Sequence, residues 1–130
     1  MTHKKKTVLT AIVAVVVCGL LSGVLLIYHD YIILRDSAFY ADGPVGFVGE
    51  IPSTVKAYNR LVMIPFAEHI FRKLEISGTN SAKAYAITAL REIDPIYASV
   101  LLDKYANSEE TTSVFYDCIG YDVLLKDFFD

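Results

Sequence analysis

From Thr7 to His29 the chain carries no Asp, Glu, Lys or Arg. Inside that stretch the run VLTAIVAVVVCGLLSGVLLIY, Val8 to Tyr28, is 21 residues long. A buried core helix of a water-exposed protein would show a polar face, and this run has none. A helix rises 1.5 Å per residue, so the run reaches roughly 30 Å, the hydrocarbon thickness of a bilayer. The expectation is a transmembrane helix over residues 7–29, behind a basic cytoplasmic arm over 1–6.

A retained anchor fits this run better than a cleaved signal. Signal peptides have apolar regions of about 7–15 residues followed by a small-x-small site. Here the run is longer and no such site follows it. Cys18 stands behind Val17 rather than a small residue, which weakens a lipoprotein reading. Lys4, Lys5 and Lys6 orient the helix with its N-terminus inside. Tyr28, His29 and Tyr31 fall where amphipathic rings prefer to sit, at the membrane–water interface. The helical pattern extends to about Arg35, which makes a rigid stalk. Gly19 and Gly23 form a G-x-x-x-G pair, a spacing that lets two helices approach closely. They are the candidate helix-packing residues, with a homodimer as one outcome.

Composition narrows the rest. The chain has 130 residues, 54% of them hydrophobic and 21% charged, which excludes a disordered chain. A sequence pI near 5.5 lacks the basic footprint of a nucleic-acid binder. Lys4, Lys5 and Lys6 leave 9 of the 12 Lys and Arg residues in Asp30 to Asp130, against all 15 Asp and Glu residues, a balance of −6. Glu50 to Arg91 carries +3 and Glu92 to Asp130 carries −7. The usual meaning of such a bias is a solvated surface. The sharper meaning is a face for a basic partner, with Asp103, Glu109, Glu110, Asp117 and Asp122 as candidates.

Residues 30–52 read as a juxtamembrane stalk and a Gly/Pro neck. Gly43, Pro44, Gly46, Gly49 and Pro52 break regular structure, with room for a short strand at Phe47-Val48. Residues 53–130 read as a helical domain outside the cytoplasm. Ser53 is placed as the N-cap of a helix carrying Val55, Tyr58, Leu61 and Val62. Pro65 opens a second helix with Phe66, Ile70, Phe71 and Leu74, ending near Gly78. Ala82, Tyr85, Ala86, Ala89, Leu90 and Ile93 form one face of a third, with Lys83, Thr88, Arg91 and Glu92 opposite. Asp94 and Pro95 cap and start a fourth, carrying Ile96, Val100, Leu101 and Tyr105. Thr111 to Ile119 is rich in β-branched and aromatic residues and reads as a strand with Phe47-Val48 as a candidate partner, while Ser108-Glu109-Glu110 would also start a helix there. Tyr121 to Phe129 reads as a short amphipathic helix burying Val123, Leu124, Phe128 and Phe129. The fold class is therefore mainly α, with a transmembrane helix, a small helical domain and a short two-stranded element.

The chemistry-bearing residues do not converge in the sequence. His3, His29 and His69 fall in three different segments, and no H-E-x-x-H motif or G-x-S-x-G elbow is present. No catalytic, cofactor-binding or metal-ligating residue is assigned, and no cofactor is expected. Cys118 reads most simply as a buried thiol, with an intermolecular disulfide as the sharper alternative. Of nine tyrosines, Tyr58, Tyr85 and Tyr105 are expected in the core. Tyr40, Tyr97, Tyr116 and Tyr121 are less clearly buried, and exposed tyrosines favour protein contacts.

The stretch Ser81 to Tyr105, SAKAYAITALREIDPIYASVLLDKY, resembles a HEAT-like helical repeat. The positions that carry the resemblance are Ala86, Ala89, Leu90, Asp94, Pro95, Val100 and Leu101. It implies a helical hairpin and the family's habit of binding proteins, and no functional residue. The layout of anchor, neck and helices also resembles small bacterial envelope proteins. The functional expectation is a non-catalytic protein-binding module anchored in a bacterial inner membrane and facing the periplasm or exterior. One version is an immunity protein or tethered inhibitor. Another is an accessory subunit of a membrane complex, and an enzyme is the rival class. The partners expected are the membrane and a protein, with no nucleic acid.

Overall fold

A computed structural model describes residues 2–46 and 48–130. Helix α1, His3–Arg35, runs 33 residues without a break. Its most apolar 18-residue window has a mean hydropathy of 2.7 and is wholly unburied. Among the described residues it is the one helix long and apolar enough to cross a membrane. The last two turns behave differently: Asp30, Tyr31 and Leu34 are buried. The apolar helix therefore continues, without a spacer, into the core of the domain.

Four helices follow, α2 (Ser53–Leu61), α3 (Ala67–Ser77), α4 (Asn80–Ile93) and α5 (Pro95–Tyr105). Two antiparallel strands come next, β1 (Thr111–Tyr116) and β2 (Ile119–Leu124), and a 3₁₀ turn over Leu125–Phe129 closes the chain. The molecule is mainly helical with one small sheet, as the residue pattern implies.

Helix α4 is the centre. Ala82, Ala84, Ala86 and Ala89 are buried and small, so neighbours approach its backbone closely. Tyr85, Ile87 and Leu90 fill the space between them. Burial exceeds the single face expected from periodicity, because α3, α5, β1 and the 3₁₀ turn all pack on this helix. Only Arg91, Glu92 and Ile93 at its end are exposed. Burying one large aliphatic side chain contributes about 1.5–3 kcal/mol, so this helix organises the core.

The caps follow the sequence in part. Asp94 Oδ1 accepts from the Tyr97 backbone N–H at 3.1 Å with Pro95 at the first helical position, as expected. Thr79 Oγ1 accepts from the Ala82 N–H at 3.2 Å. At α2, Pro52 rather than Ser53 is the N-cap, and Ser53 is the first helical residue. On α5, Leu101 and Tyr105 are buried, but Ile96 and Val100 are exposed. That helix is covered on one side only, so Ala98, Leu101 and Tyr105 form its buried stripe.

Three expectations need correction. The strand at 111–119 turns at Asp117-Cys118 and pairs with β2. Phe47 lies outside the described residues, and Val48 is exposed in a turn. The helix expected over 121–129 is a strand followed by a 3₁₀ turn, and its fully buried residue is Leu125. Cys118 is exposed in the hairpin turn, where a two-residue loop leaves nothing to cover it.

The neck is folded onto the domain. Ala41 is buried, and its N–H donates to the Tyr85 hydroxyl at 3.0 Å. Gly46 and Gly49 take φ of 78° and 65°, a conformation that costs glycine little. They close a loop in which Val45 bridges Glu50.

Gly78 ends α3 and is required for space rather than for backbone conformation. A Cβ there would overlap the Cβ of Ala82 and lie 2.7 Å from the Leu74 carbonyl oxygen. Gly78→Ala is expected to destabilise the domain by about 1–3 kcal/mol, the usual cost of overpacking. Thermal melting in detergent should show a lower Tm with an unchanged helical spectrum at low temperature.

Candidate functional site

The β hairpin is attached to the helices along one side and open along the other. At its base, Ser81 and Thr112 share a buried hydroxyl hydrogen bond of 2.7 Å. The Asn80 side-chain amide donates to the Thr111 carbonyl at 2.9 Å. Lys83 Nζ meets Glu110 Oε1 at 2.8 Å, and Ser108 Oγ also donates to that carboxylate. The Lys83 ammonium holds the Glu110 carboxyl below its ordinary value.

Further along β1, the Tyr40 N–H donates to the Ser113 carbonyl at 2.8 Å, and the Phe115 N–H donates to the Tyr40 carbonyl at 2.9 Å. The Phe39 and Phe115 rings meet edge-to-face at 5.0 Å. Ser113 and Phe115 thus direct their backbone groups away from β2. Antiparallel pairs alternate between bonded and non-bonded positions. The groups of Thr112, Val114 and Tyr116 therefore face Val123, Tyr121 and Ile119 across the ladder. Gly120, Asp122 and Leu124 must then direct their backbone groups outward. Among the described residues, none of those outward groups has a backbone partner.

An open strand edge is a template for another strand. Near the turn this strand carries exposed Ile119 (67%) and Tyr121 (52%), with Tyr116 (62%) of β1 paired across from Ile119. Asp117 makes the turn at φ 52°, in the left-handed region that Asp tolerates better than most residues. Its carbonyl accepts from the Gly46 N–H at 2.7 Å, which ties the turn to the neck.

The candidate acidic residues do not form one patch. Glu110 is at the hairpin base in its ion pair, and Asp122 accepts from Ser113 Oγ at 2.9 Å. Asp117 is at the opposite end of the strands, about 20 Å from Glu110 at the usual strand rise. Asp103 is exposed on α5, and Glu109 is exposed in the segment between α5 and β1. Among the described residues no salt bridge involves Asp103, Glu109 or Asp117. Part of the negative charge is answered inside the molecule, since Arg72 meets Asp94 at 2.5 Å and Lys83 meets Glu110. Gly19 and Gly23 are open, with nothing within 4 Å of where a Cβ would stand.

The tyrosines divide as expected for Tyr85 and Tyr105, both buried, while Tyr58 is half-buried against the Tyr85 and Phe71 rings. Burial pushes the Tyr58 hydroxyl up to about 12. Tyr40 and Tyr97 are also half-buried, and Tyr116 and Tyr121 are exposed.

Sequence reasoning missed the outward set Gly120 and Leu124, and the roles of Tyr40 and Asp30. The first was findable. TTSVFY and IGYDVL are two β-rich runs separated by two residues, the spacing of a tight hairpin.

A second concavity lies where α1 meets α3. It is a groove of about 320 Å³, with Val24, Ile27 and Tyr28 on one wall and Phe66, Ile70 and exposed His69 on the other. Above it, Asp30 is buried and accepts both Arg60 guanidinium hydrogen bonds at 2.7 Å. Among the described residues, no three His, Cys, Asp or Glu side chains converge on a metal position. No family model matches the chain, and no curated protein or solved structure matches it.

The Lys83–Glu110 pair links hairpin stability to pH. The folded pKa of Glu110 is depressed, so its contribution is present above the unfolded value near 4.5 and is lost as pH falls through the folded value. The Tm of the wild type should therefore drop more than that of Glu110→Gln as the pH is lowered from 5 to about 3. Parallel slopes for the two proteins would remove this pair from the account.

Proposed function

We propose that the chain is a single-pass, membrane-anchored, non-catalytic module that binds another protein. Its N-terminus lies on the cytoplasmic side of a bacterial inner membrane, and its folded part faces the periplasm or exterior. The observation that carries this reading is the open β2 edge with exposed Ile119 and Tyr121, and Tyr116 of β1 beside them at the turn. Strand addition at such an edge supplies main-chain hydrogen bonds for affinity and side-chain pockets for specificity. The α4–α5 pair, capped by Asp94 with Pro95 behind it, carries the resemblance to HEAT-like repeats and supports a binding role. The specific form we favour is a tethered inhibitor or immunity protein. Its β2 edge would receive a strand of a basic partner, with Asp117 and Asp122 flanking the contact.

Asp122 offers a test because its N–H points away from β1, with Asp122→Asn as the control for loss of its carboxylate charge. Asp122→Pro removes one outward donor and leaves the hairpin ladder intact, as proline is tolerated at strand edges. Mild crosslinking of full-length protein in membranes, followed by pull-down and mass spectrometry, should recover one stoichiometric protein partner. With Asp122→Pro that recovery should fall by about tenfold, the scale of one or two lost hydrogen bonds. Equal recovery from a variant with unchanged melting would exclude the edge.

The open Gly19 and Gly23 face favours a second reading, an accessory subunit packed against other transmembrane helices. Replacing both glycines by Leu should leave partner recovery unchanged for a tethered inhibitor. An accessory subunit should lose its integral-membrane partners on the same change.

A further inference from the structure

The direction of α3 places an apolar segment beside the membrane-spanning part of α1. At one end of α3, the Thr79 N–H donates to the Arg35 carbonyl at 3.0 Å. The Tyr31 and Ser77 hydroxyls share a hydrogen bond of 2.8 Å. The Lys73 ammonium sits 5.4 Å from the centre of the Tyr31 ring. At the other end, Phe66 and Ile70 face Val24 and Ile27 across the groove. Helix α3 thus runs parallel to α1, and the turn between α2 and α3, at the start of α3, lies back along the apolar run.

Depth follows from the helix rise. Phe66 shares the groove with Val24, four residues before Tyr28. That puts it about 6 Å inside the boundary that Tyr28 marks. The turn itself reads LVMIPF, Leu61 to Phe66, with no charged residue. Met63 is 82% exposed and Phe66 is 47% exposed. In water these side chains would be a standing cost. Beside a bilayer-spanning helix they meet hydrocarbon. The cationic groups lie further along, where headgroups would be: Arg60 held by Asp30, and Lys73 two turns beyond Phe66.

We propose that the α2–α3 turn is a second membrane contact, with Met63 and Phe66 immersed in the leaflet on the C-terminal side of α1 and a phospholipid acyl chain filling the α1–α3 groove. Lys73 then sits at the level of the lipid phosphate, where a basic residue gains from anionic lipid. The contact fixes the domain's tilt against the bilayer and sets which of its faces a partner can reach. It rests on the reading that α1 spans a membrane, and it is independent of which side the domain faces.

The chain has no Trp, so a single introduced Trp is a clean reporter. Full-length protein would be reconstituted in phosphatidylcholine vesicles containing lipid brominated either near the carbonyl end or near the methyl end of the chain. Four variants are compared: Val16→Trp, Met63→Trp, Phe66→Trp and Ile76→Trp. Ile76 is exposed on α3, about 15 Å further from the turn than Phe66. The expected result is loss of most fluorescence for Met63→Trp and Phe66→Trp with shallow bromine, and none for Ile76→Trp. Val16→Trp should be quenched by deep bromine. If Val16→Trp is quenched while the two turn variants stay as bright as Ile76→Trp, the second contact is overturned and the anchor stands. Quenching of Ile76→Trp to the same degree would overturn it too, since the domain would then lie flat. An unquenched Val16→Trp would remove the anchor itself, and this contact with it.

Discussion

The docking of the last two turns of α1 into the domain is the contact on which the rest of the structure depends. Leu34 is fully buried, Tyr31 is nearly so, and Asp30 is a buried carboxylate held by both arms of the Arg60 guanidinium. A buried charge left without its partner is costly, so this pair strongly favours one position of α2 on α1. Through Ser77 and Thr79 the same turns also hold the end of α3. A helix that is featureless and exposed over its apolar window becomes, within three residues of Tyr28, part of a packed core.

That continuity changes what a small domain of this kind can be. About 80 residues make a marginal core on their own. Here the core takes in the last turns of the long apolar helix, so Tyr31 and Leu34 add to what the domain buries. The neck adds to the same core instead of spacing it away. Ala41 seals the Tyr85 hydroxyl, and Tyr40 forms a third, one-residue rung on β1. With that edge of β1 occupied, the outer edge of β2 is the one left for another strand.

Charge is distributed by the fold more than by the chain order. The basic middle segment and the acidic end look like opposing surfaces when read along the sequence. In three dimensions Arg72 and Lys83 reach across to Asp94 and Glu110, and Lys104 reaches back to buried Glu75 at 2.5 Å. The carboxylates left for a partner are therefore fewer and more scattered than the −7 of the C-terminal segment implies.

Periodicity and composition alone determined the membrane-length helix, the four helices after it, the Asp94–Pro95 cap and the tyrosines of the core. Each of these depends on residues within a few positions of one another, where spacing is enough to define a face or a cap. Tertiary structure decided the rest. It chose a strand over a helix for Ile119–Leu124, because Val123 and Tyr121 find ladder partners in β1. It buried α4 nearly all round, because neighbours from both directions of the chain close over Ala84 and Ile87. It exposed Ile96, Val100 and Cys118, because nothing packs over them. The open β2 edge and the groove between α1 and α3 both depend on contacts more than twenty residues apart. Local pattern carries no information about which distant segments will meet, and that meeting sets which backbone edge and which apolar side chains remain uncovered.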